Sequence, residues 1–392
     1  MTYVDYRMDG DTLVLIPGER LTSENADAAE QEINTVRAEN PAEQTVLDAG
    51  KLKYISSAGL RVLLRIRKTV PDFTVINAGT EVYDILEMTG FTEMMTVVKA
   101  FREMSVEGCD IIGKGAKGTV YRYSPDTIIK VFNAPDCLEN INRERELARK
   151  AFVLGIPTAI AFDTVKVDGK FGSVFELLDA YSFSQLLAAH PENKSEYIRQ
   201  FAEMLRLIHG TSVKTTDMPD AKRTAFIWVA NDRPYLPAED ADRLEQMIRE
   251  LPDRLTMIHG DYHTNNIMMQ NGEALLIDMD TLSHGHPIFD LTNVYFTYEG
   301  ALETDPKNTE KFLGIPAETC IGFWDEFLRI YLDTEDPEKL DGTTRKIRLM
   351  SYARQLQHIA RRRGDTPEGK RSIELCADRI HELLAETDTL NF

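Results

Sequence analysis

The chain has 392 residues, 43% of them apolar and 28% charged, with a formal charge of −19. That length calls for two or three domains of ordinary soluble composition, and so acidic a chain excludes nucleic acid as the main partner, because phosphate-backbone binding needs a basic surface. No apolar run approaches the ~18 residues that span a bilayer, and the first residues lack the cationic and apolar stretches of a signal peptide; the expectation is a cytoplasmic protein that does not engage the membrane. The four cysteines, Cys109, Cys137, Cys320 and Cys376, lie far apart without metal-ligand or paired spacing. They read as reduced thiols.

Residues 1–104 read as a first unit of alternating strands and helices. Thr12–Ile16 is strand-like and closes on Pro17-Gly18. Ser23–Arg37 carries Ala26, Ala29, Ile33 and Val36 at helical spacing. Thr45–Asp48 is a short buried strand, and Ala58–Arg67 an amphipathic helix capped by Ser56 or Ser57. Phe73–Ile76 is a strand, and Glu81–Thr89 a helix stopped by Gly90. Such alternation predicts a small α/β domain, a sheet covered by helices.

The run Tyr54-Ile55-Ser56-Ser57-Ala58-Gly59-Leu60, followed by Asn77-Ala78-Gly79 and Thr89-Gly90-Phe91, resembles the STAS domain of anti-sigma-factor antagonists. The resemblance implies a protein partner of anti-sigma-factor type, and a regulatory phosphorylation site that maps to Ser57. A phosphate there would meet unpaired N–H groups at the positive end of a helix. The plainer alternative is that Ser56 and Ser57 only cap the helix, and Ser56 stands where the family has an acidic residue.

Lys99–Gly108 reads as a short connector without Pro or Ser enrichment, which would hold the two units close. Residues 105–392 then form the second unit, with a small lobe over 105–178 and a large lobe over 179–392. Gly113, Gly115 and Gly118 make a G-x-G-x-x-G run. A dinucleotide fold needs a helix after the third glycine. Here Thr119–Tyr123 continues as a β-branched and aromatic strand, so the glycines lie in a hairpin, the geometry of a kinase loop over nucleotide phosphates. Lys130, alone among apolar neighbours in the next strand, is either a snorkelling edge residue or the phosphate-binding lysine of such a fold; its place after the glycine loop favours the second. On the charged helix that follows, Glu144 best matches the kinase position that pairs with it, with Glu146 the alternative. Phe171–Leu178 resembles the last strand of a kinase small lobe running into the hinge, a resemblance that implies adenine contacts from backbone groups around Glu176 to Leu178.

Met257–Met269 carries an apolar run into the polar loop His259-Gly260-Asp261-Tyr262-His263-Thr264-Asn265-Asn266, and Asn271-Gly272 follows before Ala274–Asp278. Asn-Gly between apolar runs predicts a two-residue hairpin turn. The register then pairs Met269 with Ala274, Met268 with Leu275, Ile267 with Leu276 and Asn266 with Ile277. This sets Asn266 beside Asp278 and near Asp261, a group able to hold Mg²⁺. His259, Gly260, Asp261, His263, Asn266 and Asp278 resemble the core of the aminoglycoside phosphotransferase and choline kinase superfamily, although Thr264-Asn265 replaces its usual Pro-Gly. The resemblance implies an α+β bilobal protein-kinase-like fold, with ATP and Mg²⁺ as cofactors. Asp261 would be the base for an acceptor hydroxyl, Asn266 and Asp278 the metal ligands, and Lys130 a catalytic phosphate-binding residue. His209 and Asp290 map to structural supports of the loop. The activity expected is phosphoryl transfer to a small molecule (an amino sugar, amino alcohol or sugar), regulated by the first unit. A protein serine kinase acting on Ser57 or a partner's serine is the rival, and a nucleotide-binding protein without turnover the third. The intact set Lys130, Asp261, Asn266 and Asp278 disfavours the last.

Overall fold

The structure is a computed structural model that describes residues 2–115, 117–134, 137–303 and 305–392; Ala116, inside the glycine run, lies outside them. Two compact units emerge, Met1–Gly108 with Thr164–Gly172, and Cys109–Asp163 with Ser173–Phe392.

In the first unit five strands are ordered Val4–Asp9, Thr12–Pro17, Gln44–Asp48, Thr74–Ala78, Thr96–Lys99. The first pair is an antiparallel hairpin and the remaining pairings are parallel. Parallel neighbours need crossovers, which the helices Ala26–Glu39, Ser57–Thr69 and Thr80–Met88 supply. Leu13, Leu15, Leu47 and Val75 bury one sheet face against Ala29, Ile33, Val62 and Ile66. Ser56 is the cap of the helix Ser57–Thr69: its Oγ accepts from Ala58 N–H at 3.2 Å. Ser57 is therefore the first helical residue, and it is exposed.

The expected connector is not all loop. Arg102–Met104 forms a strand that pairs in parallel with Val165–Val167, and Phe101 packs edge-on to Phe171 at 5.1 Å. Thr164–Gly172 thereby joins the first unit, although the expected division at 104 and 105 left it in the small lobe. Strand pairing across so long a sequence separation leaves no local periodicity to read.

The second unit begins with a sheet in which Thr127–Phe132, Gly118–Ser124 and Asp110–Lys114 are successive neighbours. The helix Leu138–Val153 follows its hairpins. The remainder is mostly helical, with the hairpin Ile267–Gln270 and Glu273–Leu276 embedded in it. An aromatic cluster lies beneath the polar loop: Tyr298 stacks on Phe323 at 3.9 Å, and Phe201 meets Tyr262 at 4.5 Å. Tyr262 donates to Phe201 O at 2.6 Å, which satisfies its buried hydroxyl. No helix among the described residues is long and apolar enough to cross a membrane.

Candidate active site

The hairpin turns on Asn271 (φ 51°) and Gly272 (φ 84°), both in the left-handed region that a two-residue turn demands. Its register is Ile267–Leu276, Met268–Leu275 and Met269–Ala274, and Ile277 N–H donates to Asn266 O at 3.0 Å. The expected juxtaposition of Asn266 and Asp278 follows directly. Asn266 Nδ2 donates to Asp261 O at 2.9 Å, which leaves its Oδ1 as the end available to a ligand.

The loop that carries Asp261 is pinned from below. Asp290 accepts from His259 N–H at 2.7 Å and from Gly260 N–H at 2.6 Å. His209 bonds Asp290 at 3.0 Å and Tyr331 OH at 2.6 Å, the structural role read for both residues. Gly260 has φ +84°, and a Cβ there would lie 2.7 Å from Thr281 O, so only glycine permits the turn. Asp261 Oδ1 accepts from Asn293 Nδ2 at 3.3 Å, and its Oδ2 stands 3.6 Å from His263 Nε2. Burial pushes the Asp261 carboxyl up, but His263 and Arg354 outweigh it and hold the group well below the usual carboxylate range. Burial pushes the His259 imidazole down, against the pull of Asp290.

On the other side of Asn266, Lys130 Nζ lies 3.2 Å from Glu144 and 3.6 Å from Asp278. Glu146 instead pairs with Lys150 at 2.7 Å on the solvent side, which decides between the two glutamates. Burial pushes Glu144 up despite that lysine. Lys117 ion-pairs with Asp280 and stands 3.6 Å from Asp278. Burial pushes its ammonium down, and the two aspartates more than restore it. Oδ1 of Asp278 and Oδ1 of Asp280 are both buried without a hydrogen-bond partner. The Asp278 carboxylate and the Asn266 amide oxygen, which line the same cavity, are hard-oxygen donors of the kind Mg²⁺ takes when phosphate completes its shell.

Gly113, Gly115, Lys130, Glu144, Glu176, Leu178, Asn266 and Asp278 all line one cavity of about 780 Å³. Gly118 starts the next strand, its carbonyl accepting from Gly115 N–H at 2.9 Å, and stands outside that wall, as does Asp261. Leu177 N–H is given to Asp126 O at 2.8 Å. Ser57 belongs to the first unit. Sequence reasoning passed over Lys117, Asp280, Asn293 and Arg354. The alternation Asp278-Met279-Asp280 was the one local signal, since both carboxylates leave the same strand end.

Residues 109–316 match the phosphotransferase enzyme family (APH), and residues 3–104 match the STAS domain. Over 98 residues the chain is 30% identical to a protein named as an anti-sigma factor antagonist, BtrV of Bordetella bronchiseptica. The match covers 24% of this chain and 83% of that protein. A thermostable mutant of aminoglycoside phosphotransferase APH(4)-Ia, solved as a ternary complex with ADP and hygromycin B, is 13% identical with a TM-score of 0.50, covering 77% of this chain and 97% of that one. A choline/ethanolamine kinase family protein from Mesorhizobium loti is 16% identical with a TM-score of 0.45, covering 71% and 91%. At such identities the structural likeness is one of fold. The chain belongs to the phosphotransferase enzyme family and carries a STAS domain ahead of its kinase-like fold.

Proposed function

We propose that the chain is an ATP- and Mg²⁺-dependent phosphotransferase that moves the γ-phosphoryl group to the hydroxyl of a small molecule, with its STAS unit as the regulatory part. The observation that carries this is the convergence of the Lys130–Glu144 pair, the Asp278 carboxylate and Asn266 on one cavity, with Asn266 bonded to the backbone of Asp261. Lys130, aimed by Glu144, would take phosphate oxygens, with Lys117 a second cation at the same end. Glu176 and Leu178 would present backbone groups to adenine. Magnesium held by Asn266 and Asp278, with Asp280 behind, would neutralise the charge that grows as the terminal phosphoryl group leaves. Asp261 is ionised at neutral pH and would orient the acceptor hydroxyl and take its proton late in transfer. Asn293 and His263 fix the carboxylate for that task. Family likeness suggests an amino sugar, amino alcohol or sugar as acceptor.

Ser57 is the proposed regulatory phosphosite, since it is exposed at a helix start where free N–H groups favour a phosphate. The rival reading, a kinase acting on a STAS serine, rests on the same exposure. Incubation of the purified chain with radiolabelled ATP, Mg²⁺ and a panel of sugars and amines tests the main reading. Transfer that EDTA abolishes and Asp278→Ala weakens is expected. Transfer unchanged by either would sink it, and label on Ser57 with none on small molecules would favour the rival.

A further inference from the structure

Two lysines converge on the Asp278 end of the cavity, and their surroundings set them apart. Lys130 pairs with Glu144, where the side chains are only 18% and 13% exposed. Lys117 pairs with Asp280, where they are 49% and 27% exposed. Each ammonium also stands 3.6 Å from Asp278 Oδ1, too far for a good hydrogen bond, so Asp280 is the direct partner of Lys117.

Both ends of the Lys117–Asp280 pair are fixed through the backbone. Lys117 belongs to the glycine run, and its carbonyl accepts from Asn133 N–H at 2.9 Å, while Gly115 N–H donates to Gly118 O beside it. Asp280 lies in a turn that Leu282 N–H closes on Met279 O at 3.4 Å. The next residue, Thr281, donates its hydroxyl to His259 O at 2.7 Å, which bonds that turn to the catalytic loop. The ion pair thus spans 163 positions of the chain. Gly113, Lys114 and Gly115 line one wall of the cavity and Asp278 another, whereas Lys117 and Asp280 stand outside the lining. The pair joins the two walls at the rim.

A pair this exposed is cheap to open, because water screens it and a long side chain must be held in place. Opening the buried Lys130–Glu144 pair would strand a charge and costs far more. We propose that Lys117 and Asp280 are the gate of the nucleotide site: closed, they hold the glycine loop against the Asp278 wall, and they part each time a nucleotide enters or leaves. Asp280 serves Lys117, and the metal is left to Asn266 and Asp278. This rests on the reading of the cavity as the nucleotide site. A gate and a simple charge differ in what they do to rates. A cation that only attracts phosphate speeds entry and slows exit, and an anion does the reverse. A gate slows both, so losing either partner speeds both.

The test is stopped-flow fluorescence of the full chain with N-methylanthraniloyl-ADP and Mg²⁺, for wild type, Lys117→Gln, Asp280→Asn and the double variant. Each single variant is expected to raise the association and dissociation rates together, by about threefold to fivefold, as befits a partly exposed pair. The double variant should match the singles within about twofold, because one contact is lost in all three. Opposite shifts would overturn the gate: Lys117→Gln slower to bind and faster to release, with Asp280→Asn the reverse. Unchanged rates in either single variant would overturn it as well. Mn²⁺ titration of the ADP-loaded chain by electron paramagnetic resonance separates the metal. Asp280→Asn should hold Mn²⁺ within about twofold of wild type, since the direct partner it loses is a lysine; a larger loss would make Asp280 a metal ligand and overturn its assignment. Failure of the wild type to bind the fluorescent ADP would instead bring down the nucleotide reading, and the gate with it.

Discussion

Two aspartates in the second unit, Asp261 half-buried and Asp232 buried, are driven in opposite directions by their surroundings. Asp261 sits between His263, Asn293 and Arg354, so its charge is solvated by protein dipoles and it stays ionised. Asp261→Asn keeps the shape but removes the proton acceptor; turnover should fall at least ~10²-fold while ADP affinity by calorimetry stays within twofold. Asp232 has no such company. It is 0% exposed, neither oxygen has a hydrogen-bond partner, and burial pushes its carboxyl up to about 8. Between its ordinary value of 3.8 and about 8 the folded chain holds a proton that the unfolded chain has released. Its contribution to stability therefore falls as pH rises through that window and is level above it. Asp232→Asn should melt higher than wild type at pH 8.5, by roughly 4–8 °C if about 2 kcal/mol is recovered. The gap should close near pH 4, and melting curves at the two pH values check the sign.

At the scale of elements, the hairpin transmits turn chemistry to the site. Gly272→Val would force a β-branched residue into φ +84°, at a cost of about 1–2 kcal/mol. The variant should lose nucleotide affinity in Mg²⁺ because Asn266 and Asp278 depend on the register, although Gly272 touches neither. Helix capping separates the two serines of the first unit. Ser56→Ala should destabilise that unit by about 1 kcal/mol, whereas Ser57→Ala should leave its melting unchanged, because only Ser56 accepts from Ala58 N–H. This register was legible because Asn-Gly admits one turn geometry, and from that alone Asn266 meets Asp278. Arg354 was not. Helical periodicity marks a helix through Ile347–Arg361, but which residue of it reaches Gly260, 94 positions away, is decided by packing against Phe289 and Trp228. Lys117 and the strand Arg102–Met104 were hidden for the same reason: their partners lie far along the chain.

For the whole molecule, two separate apolar cores predict two unfolding transitions rather than one. One core gathers Leu15, Leu47 and Val62, the other Phe201, Tyr262 and Phe323. Only the second carries the cavity, so ADP with Mg²⁺ should raise one transition alone, by about 2.7 kcal/mol at a hundredfold excess over Kd. Differential scanning calorimetry with and without nucleotide reads this directly, and equal shifts in both transitions would contradict it.

The strand Arg102–Met104 also has a consequence in time. A ribosome releases residues in order, and the five-strand sheet is complete once Thr96–Lys99 has emerged. Arg102–Met104 must then wait for Val165–Val167, about 60 residues later, which at 5–20 residues per second is roughly 3–12 s. During synthesis the first unit thus presents an open edge for seconds, and a chaperone or a second nascent chain that recognises such edges has that interval in which to act.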